Sequence, residues 1–338
     1  MTPAASEISQ KAWKLVNSWQ QHFAALLMRF DQKAFHQVSW LRDQGTHGGG
    51  QRLVAPENSR YNRASINISQ VHYDDLNDKK LAAATALSTI VHPQHPFSPS
   101  LHLHVSLTEL KQEQRYYWRL MADLNPSNPL QDQREDFAAS LKMLTGEHFD
   151  YGCAQGDTYF YIPALKRHRG VCHFYLEEFR MNTLAEECAF SDAFVKGVTE
   201  KYVDLIDLGL KHPAGDAARQ NQLAYHTLYF FQVLTLDRGT IFGILVHDQN
   251  DEGIMGSLPA VIDRELLASW RSHMPEPQRP LLDTITGALP ATPLCPIDKE
   301  VKVRLAQAIR TFYRDNLELQ KYLARAAIKP PTTANHLD

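Results

Sequence analysis

The run Leu101-His102-Leu103-His104-Val105-Ser106-Leu107 constrains this chain more than any other stretch. Apolar and polar residues alternate strictly, and an extended strand is the conformation that sorts a period of two onto two faces. One face is then buried leucine and valine, and the other presents two imidazoles. Upstream, His92-Pro93-Gln94-His95-Pro96-Phe97-Ser98-Pro99 reads as a proline-punctuated loop, so His92, His95, His102 and His104 crowd into thirteen positions. A strand face of this kind suits the wall of a site. His95, set between prolines, reads equally well as a half-exposed loop residue.

Composition narrows the class. With 338 residues, 43% of them apolar and 22% charged, the chain reads as a soluble globular protein with a sizeable core. A formal net charge of −3 argues against non-specific nucleic-acid binding. No run approaches the roughly 20 apolar residues of a membrane helix. The start, Met1-Thr2-Pro3-Ala4-Ala5-Ser6-Glu7, shows no basic leader before an apolar core, so the cytoplasm is the expected compartment. Cys153, Cys172, Cys188 and Cys295 are scattered without a C-x-x-C pair, the pattern of reduced thiols.

In chain order, Trp13, Val16, Trp19, Phe23, Leu26 and Phe30 recur at helical spacing and predict an amphipathic helix over 7–30. The glycine cluster from Gly45 to Arg52 matches neither a P-loop nor a dinucleotide fingerprint and reads as a flexible loop. Residues 64–72 alternate as a strand, and the alanine-rich 77–87 reads as helix. A strand is expected from Arg115 to Met121, ended by a turn at Asp123-Leu124-Asn125-Pro126, with a helix over 132–145. Strands are expected at Thr158–Ile162 and Val171–Leu176, joined by the basic loop Lys166-Arg167-His168-Arg169-Gly170, whose arginines suit a carboxylate. A helix over 191–210 capped by Ser191 follows, then a hairpin of Tyr229–Leu236 and Ile241–Val246 turning at Asp237-Arg238-Gly239-Thr240. A helix at about 298–326 and a frayed tail over 328–338 close the chain. With neither repeat nor obvious linker, one α+β domain spanning 1–338 is the economical organisation.

Taken together, several segments resemble the oxygen-dependent coproporphyrinogen III oxidase family. Gly45 to Arg52 is similar to its glycine-rich loop, and Ala64-Ser65-Ile66-Asn67-Ile68-Ser69 to its Ala-Gly-Val-Asn-x-Ser stretch. Ser88, His92 and Pro93 match a Ser-x-x-x-His-Pro segment, with His102 as the second histidine ten positions on. Asp123-Leu124-Asn125-Pro126 resembles an Asp-Leu-Thr-Pro turn, and Tyr159 to Ile162 a Tyr-Phe-Tyr-Leu strand followed by Arg169-Gly170. Asp237-Arg238-Gly239-Thr240 with Phe242-Gly243 matches whole, and Met255-Gly256-Ser257-Leu258-Pro259 is close to Met-Ser-Leu-Pro. Order and spacing hold from roughly residue 10 to residue 265.

The resemblance implies a large antiparallel sheet flanked by helices on both faces, assembled as a homodimer. It implies oxidative decarboxylation of two propionates of coproporphyrinogen III to vinyl groups, a step of haem biosynthesis, with molecular oxygen as co-substrate and no organic cofactor. By position, His102, Asp123, Asp237 and Arg238 would be catalytic, and Ser88, His104 and Arg169 would meet the tetrapyrrole substrate. His92 and His102 match ligands of a divalent metal linked to some bacterial members.

The chain also departs from the pattern. A substrate-contacting Asn-Val-Arg is His104-Val105-Ser106 here, and a triple glycine is Arg119-Leu120-Met121. Two further metal-type histidines align with Ala139 and Ala164, and paired aspartates with Glu177-Glu178. The Gly-Arg-Tyr-Val-Glu-Phe-Asn segment reads Thr227 to Gln232, and a Gly-Gly-Arg loop is replaced near His247 to Asn250. Side chains in place of glycine reshape a pocket for a flat macrocycle. Histidines two apart share a strand face, so His102 and His104 together can be considered for one ion. Two other readings therefore stand beside the first: an oxygenase of the same fold acting on another carboxylate, and a catalytically silent tetrapyrrole-binding relative.

Overall fold

The computed structural model describes residues 1–31, 33–111, 115–246 and 248–324. Helix α1 (Glu7–Leu27) starts where the Ser6 hydroxyl accepts from the Ser9 amide, and it buries Val16, Trp19 and Phe23 along one stripe. Strands β1 (His36–Leu41), β2 (Gly48–Val54), β3 (Tyr61–His72), β4 (Leu81–Pro93), β5 (Ser100–Leu110) and β6 (Arg115–Asn125) follow. Helices α2 (Gln131–Thr145) and α3 (Phe149–Phe160) lead to a short hairpin, β7 (Tyr161–Ile162) and β8 (Arg167–His168), and then to β9 (Cys172–Phe179). Strands β1 to β6 meander in chain order, and β9 adds beside β6 to complete an antiparallel sheet of seven.

After β9 come helices α4 (Leu184–Leu210), α5 (Asp216–Thr235), α6 (Arg238–Val246) and α7 (Asp251–Ile254). Strand β10 (Val261–Asp263), helices α8 (Arg264–Ser269) and α9 (Arg279–Ala288), strand β11 (Leu294–Pro296) and helix α10 (Lys299–Asp315) complete the described chain.

Register decides which residues share a face. Leu53, Ile66, Thr89, Leu103, Ala122 and Phe174 stand opposite one another in a row across β2, β3, β4, β5, β6 and β9. That face, together with Val105 and Leu120, packs on α1 and α4 in the main core. Each fully buried Leu or Phe there contributes roughly 1.5–3 kcal/mol. A second core joins α5, α6, α8, α9 and α10, and touches the other sheet face at Ile90. The expected α+β class, one large antiparallel sheet with helices in a single domain, is what forms.

Several local expectations are corrected. The alanine-rich 77–87 is not helix: from Leu81 it is strand β4, because pairing with β3 on one side and β5 on the other outweighs alanine's helix preference. The glycine cluster is not a loose loop, since Gly48, Gly49 and Gly50 lie within β2. Gly48 has φ +89°, and a Cβ there would stand 2.1 Å from the Gln70 carbonyl oxygen. The expected hairpin at Tyr229–Leu236 and Ile241–Val246 is two helices, α5 and α6, with Asp237 at the break. An apolar run buried on every side carries no period to separate strand from helix. Thr158 to Phe160 likewise belong to α3, and strand begins at Tyr161.

Three boundaries also move. Helix α4 begins at Leu184, where Thr183 and Glu186 form a capping box, and Ser191 is buried inside it. Asp123 is a residue of β6, not of the turn after it. The last long helix ends at Asp315, with a 3₁₀ turn over Leu317–Tyr322, and the 328–338 tail lies outside the described residues. Among the described residues no single helix is long and apolar enough to cross a membrane. The bent pair α5–α6 passes that test only when joined, and Tyr225 to Thr235 within it are buried in the second core.

Candidate active site

A cleft of about 360 Å³ lies between the second sheet face and the α5–α6 corner. Two register rows form its floor. One runs Ser65, Ile90, His102, Asp123, His173, of which Asp123 and His173 do not line the cleft; the next runs Asn67, Ser88, His104, Met121, Tyr175. Residues in one row point to one face, so the alternation read at Leu101–Leu107 puts both imidazoles on the cleft side. Ala84 and Ala86 also line the cleft, and their small side chains leave it open.

His102 and Asp123 face each other across β5 and β6, with His102 Nδ1 2.8 Å from Asp123 Oδ1. The second carboxylate oxygen accepts from Arg169 Nη2 at 2.6 Å and from Asn125 Nδ2 at 2.5 Å. Burial works to raise the pKa of Asp123, but Arg169 and then His102 outweigh it and hold the carboxyl well below its usual range. A carboxylate that only accepts requires the proton on Nδ1 of His102. Proton exchange with a ligand in the cleft then falls to Nε2. Asp123 itself has no exposed surface and meets the cleft only through the imidazole.

Arg169 was expected against substrate. Its Nε donates to Asn125 Oδ1 at 3.1 Å, and its guanidinium stacks over Phe160 and Tyr229 at 4.9 and 4.7 Å from the ring centroids. It borders the cleft, with Nε and Nη2 bonded to Asn125 and Asp123. It is the partner of the Asp123 carboxylate and a lining residue of the cleft at once.

The opposite wall carries Asp237 and Arg238, both half-buried and both lining the cleft. Asp237 Oδ2 accepts from the Thr240 amide at 2.7 Å, a capping bond at the start of α6. Its Oδ1 accepts from the Tyr159 hydroxyl at 3.0 Å. On the floor, Arg119 Nη2 pairs with Glu177 Oε1 at 3.2 Å. Ser88 and His104 sit side by side in register on β4 and β5. Burial, then Arg119 and His102, push His104 down to about 3, so it stands neutral and exchanges a hydrogen bond with Ser106 Oγ.

The matched pair His92 and His102 does not fit a metal. His92 is fully buried; its Nε2 donates to the Ser257 carbonyl at 3.2 Å and its Nδ1 accepts from Ser100 Oγ at 2.8 Å. Both ring nitrogens are used by protein, and His102 keeps one. With alanine at 139 and 164, that set supplies too few donors for a divalent ion. His104 Nε2 is shared with Ser106 Oγ. His95 lies away from the cleft, in a second pocket with Arg29, Arg60 and Arg219.

The structure brings His102, Asp123, Asp237, Arg238, Ser88, His104 and Arg169 around one cleft. Sequence reasoning missed Tyr159, which anchors Asp237, because its segment was read as a strand. It also missed Tyr229 and Asn125, which hold Arg169 from α5 and β6. No local pattern marks those contacts. A profile of the coproporphyrinogen III oxidase family matches residues 11–278 of the chain.

Proposed function

The chain belongs to the coproporphyrinogen III oxidase family, and on that premise we propose that it performs the oxygen-dependent decarboxylation of coproporphyrinogen III propionates. Each turn converts R–CH₂–CH₂–COO⁻, O₂ and a proton to R–CH=CH₂, CO₂ and H₂O₂. A C–H bond and the bond to the carboxylate carbon break, and the two electrons released reduce oxygen to the peroxide level. One peroxide proton comes from the broken C–H bond and the other passes through His102.

The observation that carries this reading is the placement of two functions on facing walls. His102, oriented by ionised Asp123, offers one exchangeable nitrogen to a pyrrole N–H. Asp237 and Arg238 stand across the same cleft, where Arg238 holds a propionate and Asp237 faces the pyrrole N–H groups. Ser88 and neutral His104 give the substrate hydroxyl and imidazole partners. The reaction in this proposal takes oxygen as co-substrate and no organic cofactor. A homodimer in the cytoplasm belongs to the same proposal; the edge strand β1, which exposes Val38 and Leu41, supports pairing with a second copy.

The test is an aerobic assay with coproporphyrinogen III, read by porphyrin fluorescence after oxidation of the product, beside an anaerobic control. Monovinyl and divinyl products in air alone support the reading. Their absence at stoichiometric enzyme, or equal turnover without oxygen, overturns it. A second reading, the same chemistry on another carboxylate, is favoured by Arg119 and Met121 lining the cleft. Turnover of a smaller pyrrole propionate with none of coproporphyrinogen III would select it.

A further inference from the structure

Beyond the cleft, α3, the β7–β8 hairpin and edge strand β9 bring Asp157, His168 and His173 together. One donor atom from each lies within 4.8 Å of the others. Three ligands held by a tetrahedral ion with bonds of about 2.0–2.1 Å stand roughly 3.3 Å apart, so modest side-chain rotation closes the set. We propose that Asp157, His168 and His173 form a site for a divalent transition-metal ion, zinc by preference, separate from the His92–His102 pair.

The hydrogen bonds already present define the donors. His168 Nε2 donates to the Asp157 carbonyl oxygen at 2.9 Å, leaving Nδ1 with its lone pair. His173 Nδ1 lies 2.9 Å from Asp157 Oδ1, so Nδ1 is the nitrogen that faces the carboxylate, and an ion takes the place of the proton between them. His173 is only 4% exposed, so its imidazole is held in place by packing. His168, whose Nε2 is fixed by a carbonyl, has the usual second-shell arrangement of a ligating histidine. Two imidazoles and one carboxylate, half open to solvent at Asp157, suit zinc with water in the remaining position.

Assembly of the cluster is a matter of close backbone approach. Gly156 lets α3 lie against β9, where a Cβ would stand 2.7 Å from both the His173 carbonyl carbon and the Phe174 nitrogen. His168 is held by pairing with Tyr161 across the hairpin. The two histidines bracket Arg169, the partner of Asp123. An ion on this site therefore braces both ends of the segment that positions Arg169. The device is structural and stands outside the reacting cleft.

Metal-stripped protein without an affinity tag is titrated with zinc chloride against a chromophoric chelator, with cobalt(II) as a visible-absorption probe. The expected result is one equivalent bound, with affinity falling at least tenfold in Asp157→Asn and in His168→Ala. Both changed side chains reach solvent, so these variants retain the fold, which circular dichroism checks. His102→Ala should leave the titration unchanged. Absence of stoichiometric binding, wild-type affinity in either surface variant, or loss of binding in His102→Ala would each overturn the proposal. The readout is binding, so it is independent of whether the enzyme assay succeeds.

Discussion

Nδ1 of His102 stands 2.8 Å from Oδ1 of Asp123 on the adjacent strand, while Arg169 holds the other oxygen of the same carboxylate at 2.6 Å. The buried anion thus has a cation behind it and an imidazole in front. Its charge fixes which nitrogen of His102 is protonated, and so which nitrogen serves the cleft.

Replacing the carboxylate tests that relationship. Asp123→Asn removes the anion and leaves Arg169 buried without its counter-charge. Breaking a buried pair in this way costs about 3–5 kcal/mol of stability. In the surviving folded fraction kcat should fall by about 10²-fold or more, with KM little changed. Urea denaturation and steady-state kinetics measure the two effects separately. Wild-type kcat in the variant would refute the orienting role.

Arg238 should report on substrate binding instead. Arg238→Ala is expected to raise KM by roughly 10- to 100-fold, the worth of about 1.5–3 kcal/mol for a charged hydrogen bond. Arg238→Lys should recover part of the loss, because charge is retained without the planar fork. A large drop in kcat at unchanged KM would contradict a role in holding the propionate.

Buried histidines set the acid limb of stability. Burial pushes His104 and His226 down to about 3, and lowers His92 as well. The unfolded chain takes up these protons near pH 6.5, so the contribution is complete above that value and is lost as pH falls toward 3. Each group steepens the stability curve by about 1.4 kcal/mol per pH unit in that window. Urea melts at pH 4, 5, 6 and 7 should show a shallower slope for His104→Leu. An unchanged slope would mean that His104 is already protonated in the fold.

The glycine cluster yields a stability prediction of its own. Gly48→Ala places a methyl group 2.1 Å from the Gln70 carbonyl oxygen at a φ of +89°, where side chains are strained. We expect a loss of at least about 2 kcal/mol, read from the denaturation midpoint. A loss below about 0.5 kcal/mol would return the cluster to the status of a tolerant loop.

The histidine strand was legible because strict alternation has one structural solution, and β5 carries His102 and His104 on the cleft face as the pattern requires. The α1 stripe and the 132–145 helix were legible for the same reason. The α5–α6 corner was not. From Tyr225 to Thr235 helix α5 is buried on every side, and uniform apolarity erases the periodicity that would reveal a helix. Strand β4 misled in the opposite way, since alanine prefers helix until two neighbouring strands claim its backbone.

Sequence by itself determined the family and the strand that walls the cleft, because those are properties of local order and spacing. Tertiary structure alone decided what the residues around that cleft touch. It set Arg169 against Asp123 at the border of the cleft, committed both nitrogens of His92, and set Tyr159 behind Asp237. It also gathered Asp157, His168 and His173 from three elements. Hydrogen-bond partners and burial depend on register and helix placement over dozens of residues, and no short stretch of chain encodes them.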